Sequence, residues 1–150
     1  MAAEIVTVEA RHQTFIRTAS KIAAVPSAFD TPLGIKNVFT LAAGFITSCP
    51  TGSNLNIVAN PPVTITNSAA GITANTVLQL STTATGATFC AFTNGGVPGG
   101  TAFAPFTNGQ CVVPQILAGI TYLNLASAGP ETGVLTDAIT VAGPVVIAIS

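Results

Sequence analysis

Charge is what this sequence has least of. Only 6% of its 150 residues are Asp, Glu, Lys or Arg, against about 25% in an average soluble domain. Between Lys36 and Glu131 there is none. The four basic residues (Arg11, Arg17, Lys21 and Lys36) all precede that gap, as do Glu4, Glu9 and Asp30; only Glu131 and Asp137 follow it. Charged side chains do most acid–base chemistry, metal binding and phosphate recognition, so a conventional enzyme is not expected. Four scattered cations also argue against nucleic acid, whose phosphates need clustered Lys and Arg.

Other scarcities narrow the field. The single histidine, His12, is the only candidate base for an activated nucleophile, and no Gly-x-Ser-x-Gly turn presents one. The glycines at 95–96 and 99–100 are followed by neither a helix nor a lysine, so they do not form a phosphate loop. Glu131 and Asp137 would act as a glycosidase pair only if they faced each other across a cleft. On a turn and a strand they read as solvated. No Asn-x-Ser/Thr acceptor is present, and Thr82, Thr83 and Thr85 are candidate O-linked sites only on a secretory route.

Long apolar runs are missing too, although 49% of the residues are hydrophobic and mean hydropathy is +0.66. The final run from Val141 to Ile149 is broken by Gly143-Pro144, and a spanning helix needs about 20 apolar residues. No membrane span is expected, and the β region is too short for a complete transmembrane barrel. Met1-Ala-Ala-Glu-Ile5 lacks the apolar segment of a signal peptide. Yet the Thr/Ser/Asn-rich, Lys-poor body reads as extracellular, which suggests a start inside a longer precursor.

Three cysteines, Cys49, Cys90 and Cys111, are an odd number. In a secreted protein they predict one intramolecular bridge and one thiol left free or paired with another chain. The alternative is three buried, reduced cysteines acting as small hydrophobes. Their spacing fits no zinc pattern.

What is present divides the chain in three. Residues 1–25 read as an amphipathic helix: within 3–24, Ile5, Val8, His12, Phe15, Ile16 and Ala19 share a face, and Pro26 ends it. Residues 26–50 are a linker holding a short helix over 37–46, with Asn37 as N-cap. After Cys49-Pro-Thr-Gly-Ser-Asn54 the period changes to two. Alternating runs at 55–58, 63–66, 77–81, 87–92 and 121–125 join shorter candidates at 102–106, 111–113 and 145–149. Turns such as Asn94-Gly-Gly and Asn108-Gly separate them. Residues 51–150 therefore predict a mainly β fold, an antiparallel immunoglobulin-like β-sandwich of seven or eight strands. Its edges lack the Lys and Glu that block strand addition, so Pro, glycans or a partner must cover them, or they serve assembly.

Glu9-Ala-Arg-His12 is the one polar constellation. This Glu-x-x-His spacing supplies one half of a carboxylate-bridged metal centre in helical bundles. A second half-site and two more carboxylates are needed, and one chain cannot provide them.

The stretch from Glu4 to Arg17 resembles the last bundle helix of secreted fungal ferritin-like proteins of stress-response type. Phe29-Asp-Thr-Pro-Leu33, the phrase from Val38 to Pro50 and that from Leu135 to Pro144 are similar to the β-rich C-terminal part of the same family. The resemblance implies the C-terminal half of a larger secreted fungal protein. It implies metal ligation by Glu9 and His12, with iron or manganese bound only where partner helices are present. It also implies Cys49 as the thiol linking to a separate chain, leaving Cys90 and Cys111 to pair within the sheets.

Together these readings predict a secreted, non-enzymatic binding or self-assembly module without a cofactor of its own. It would work as a homo-oligomer or with a partner chain supplying bundle helices. The alternatives are a ferritin-like metal-binding fragment and a secreted effector or immunomodulatory protein.

Overall fold

Alternation of large apolar side chains with small polar ones sets the strands. In Val77-Leu-Gln-Leu-Ser81 the two leucines are buried, while Val77 and Ser81 face water. The computed structural model describes residues 2–53, 55–67 and 71–150; Asn54, in the expected turn, lies outside them. Two helices, α1 (Ala2–Ala19) and α2 (Ile35–Ala43), come first. The strands are β1 (Val63–Ile65), β2 (Val77–Thr82), β3 (Phe89–Thr93), β4 (Thr101–Pro105), β5 (Gln110–Val112), β6 (Gly119–Ala126) and β7 (Thr140–Ile149).

The fold is mainly β, with two antiparallel sheets arranged as a sandwich. One has the order β1-β2-β5, the other β4-β3-β6-β7. In a constant-type immunoglobulin sheet the fourth strand shares a sheet with the fifth; here β4 pairs with β3 instead. The core lies between the sheets. Val63, Leu78, Leu80 and Cys111 come from one side, and Cys90, Phe92, Leu123, Leu125, Ile147 and Ile149 from the other.

The uncharged edges are closed by two means. β7 lies against β1, and β4 lies near β5, to which a short turn at 106–109 joins it. Each of these four strands also carries or adjoins proline: Pro61-Pro62 before β1, Pro105 in β4, Pro114 after β5 and Pro144 in β7. Proline has no N–H to offer an incoming strand and is tolerated at edges for that reason. The margin of β7 is occupied further by the Gly143 N–H donating to Pro61 O at 2.8 Å and the Ser150 N–H donating to Ile72 O at 3.0 Å.

Three expected elements differ. The first helix stops at Ala19, well before Pro26. Lys21 adopts φ 57°, its N–H donates to Thr18 O at 3.0 Å, and Ile22 N–H donates to Arg17 O at 3.1 Å. That bond pair is a Schellman cap, and Arg17 Nε braces it by donating to Ala23 O at 2.6 Å. The second helix starts at Ile35 behind Gly34. Asn37 is therefore not an N-cap but an interior, buried residue. Residues 55–58 form no strand.

Candidate functional site

The site residues expected from sequence fall in separate places. Glu9 and His12 are both exposed on α1. Among the described residues no group of three or more His, Cys, Asp or Glu is placed to hold a metal ion. Glu9 and His12 therefore have no third residue of these types grouped with them among the described residues. Glu131 and Asp137 are exposed on the β6–β7 connection. No helix among the described residues is long and apolar enough to cross a membrane.

How α1 is turned matters more than these two side chains. Ala10, Gln13 and Thr14 line a cleft of about 230 Å³ whose far wall includes Ile120 and Tyr122. These positions, with Arg17, are the side of the helix toward the sandwich. At roughly 100° per residue, Ile5, Val8, His12, Phe15 and Ile16 lie on the opposite side. Phe15 is accordingly 74% exposed, Ile16 62% and Ile5 57%. The small and polar face looks across this cleft toward the body without being buried by it, only Arg17 being half-buried, and the apolar face points away.

A strap connects α1 to α2 and frames a wide cleft. Ser27 Oγ accepts from Ile120 N–H at 2.7 Å and Thr31 Oγ1 from Gly95 N–H at 3.0 Å. The strap passes so close to β6 that a Cβ on Gly119 would collide with the Ser27 hydroxyl. On its outer side is a cleft of about 540 Å³ lined by Val25, Pro26, Phe29, Ile116 and Asn94 among others. None of its lining residues is ionisable. Asn94 holds its floor. Nδ2 donates to Ala118 O, Ile120 O and Thr121 Oγ1 at 2.9, 3.1 and 2.9 Å, and Oδ1 accepts from Gly96 N–H at 2.9 Å. The sequence marked Asn94-Gly-Gly as a turn; its reach to β6 has no local signal.

The three thiols divide cleanly. Cys49 is exposed, beside an apolar groove of about 280 Å³ lined by Phe39, Ala43, Ile46 and Leu55. Cys90 on β3 and Cys111 on β5 are buried and reduced. Their thiols hydrogen-bond each other, which with burial and the neighbouring Cys111 charge holds Cys90 far above the ordinary thiol range. Comparison of the sequence with protein-family models and with curated proteins finds no match.

Proposed function

We propose that this chain is a non-enzymatic assembly module of a larger or processed secreted fungal protein, joined to other helices through α1. The outward turn of the apolar helix face carries this reading. An amphipathic helix is stabilised in water mainly by packing its apolar face, and here the sandwich leaves that face uncovered. The β7 margin is already hydrogen-bonded and the other edge strands carry or adjoin proline, which favours assembly through the helix over strand addition. Static light scattering tests this. The wild-type chain should exceed its monomer mass of 14.9 kDa. The double variant Phe15→Asp, Ile16→Asp should return to it with an unchanged β-sheet circular dichroism spectrum. A monomeric wild type at about 100 µM would overturn self-assembly.

A second reading rests on Glu9 and His12 both being exposed on α1, one turn apart. Helices that cover them would bring ligands to the pair and complete an iron or manganese centre of the bundle type. Metal analysis of the assembled protein distinguishes the readings: stoichiometric iron or manganese, lost in Glu9→Ala, favours the second.

A further inference from the structure

We propose that Cys90 and Cys111 are the two halves of an inter-sheet disulfide, and that Cys49 is the thiol left open to partners. This is independent of how α1 assembles. β3 and β5 belong to different sheets. Cys90 stands in register with Ala104 on β4 and Leu125 on β6, and Cys111 with Leu78 on β2. Both side chains enter the same core cluster, 0% and 2% exposed, and Cys111 is the neighbour that acts on the Cys90 thiol. Elsewhere in the core, the contacts between sheets come from apolar, non-directional side chains. A Cys90–Cys111 bond would tie them covalently at one fixed register.

The chemistry is thiol–disulfide exchange with a small-molecule or protein disulfide as oxidant. Two S–H bonds break and one S–S bond forms. The oxidant's S–S bond takes the two electrons and two protons and becomes two thiols. Exchange requires a thiolate, and burial beside Cys111 keeps Cys90 protonated in the folded state. Bond formation therefore belongs to the stage at which the sheets are still coming together. Once formed, the bond lies out of reach of soluble reductants. Cys49 is addressable throughout, because it lies on the exposed segment after α2.

The test is thiol counting on protein refolded with oxidised and reduced glutathione and then labelled with N-ethylmaleimide. Trypsin has no site after Lys36, so all three cysteines stay in one tryptic fragment. Label position is therefore read from a chymotryptic digest. The wild type should take one label at Cys49, both folded and in 6 M guanidinium, and three after reduction. Cys49→Ser, whose side chain is exposed, should take none in guanidinium before reduction. Three labels on the unreduced, denatured wild type would overturn the proposal. So would a label on Cys90 or Cys111 in either unreduced protein.

Discussion

Asn37 on α2 and Asn124 on β6 meet inside the protein: Asn124 Nδ2 donates to Asn37 Oδ1 at 3.2 Å. Asn60 Nδ2 donates to the same oxygen at 3.1 Å and to Gly143 O at 2.9 Å, while Asn124 Nδ2 also donates to Ala142 O at 3.2 Å. Asn60 N–H adds a bond to Thr40 Oγ1 at 3.0 Å. One helix, the segment before β1, and strands β6 and β7 are thus joined through three buried asparagines. Asn37→Ala removes an acceptor shared by two buried donors, each of which keeps one other acceptor. The expected loss is about 1–3 kcal/mol of unfolding free energy, read as a lower urea midpoint with an unchanged slope. An unchanged midpoint would mean that α2 is not anchored through this oxygen.

The strap makes a second prediction. At Gly119 φ is +77°, and an added Cβ would lie 2.8 Å from Pro26 O as well as against the Ser27 hydroxyl. Gly119→Ala must push the strap off β6, breaking the Ser27–Ile120 bond. Overpacking of this kind costs about 1–3 kcal/mol, to which the positive φ adds. Thermal melting should show the loss in Gly119→Ala, whereas Gly44→Ala, where nothing lies within 4 Å, should not lower the melting temperature.

Two phenylalanines define what is core and what is surface. Phe92 is 0% exposed between the sheets and Phe45, after α2, is 90% exposed. Phe92→Ala should cost about 3–5 kcal/mol through lost burial and the cavity left behind. Phe45→Ala should stay within about 0.5 kcal/mol in dilute monomer. Equal effects in urea titration would contradict the placement of the core.

The strands were legible because their signal is local. Leu78 and Leu80, or Leu123 and Leu125, alternate with residues that face elsewhere, and period two needs no knowledge of the partner strand. The run at 55–58 had the same alternation without forming a strand, since pairing is a tertiary matter. Asn37 departs from its expected capping role for a related reason. Beside a helical run, asparagine signals a cap, and only the distant Asn60 and Asn124 give it another role. The end of α1 was hidden because its Schellman cap uses Lys21, where Gly or Asn is the usual marker. At the candidate site, sequence identified the apolar face of α1 and the parity of the cysteines. It could not say that the face points away from the sandwich.

The core thiols predict a pH dependence for the reduced protein. The Cys90 thiol is held far above its ordinary value of 9.0, first by its hydrogen bond to Cys111, then by burial, then by the Cys111 charge. In the unfolded chain the same thiol ionises near 9.0. Above that pH the unfolded chain has lost a proton that the folded chain retains, so unfolding is favoured as pH rises. This group's contribution is complete below about pH 9. Above it, stability falls by about 1.4 kcal/mol per pH unit. Other groups titrate in the same range, so the quantity to read is a difference of slopes. Urea unfolding from pH 7 to 10.5 in excess phosphine reductant should show a steeper alkaline decline in wild type than in Cys90→Ala. The excess should correspond to one proton. Equal slopes would mean that Cys90 ionises as readily in the folded protein as in the unfolded chain, and would overturn its placement beside Cys111 in the core.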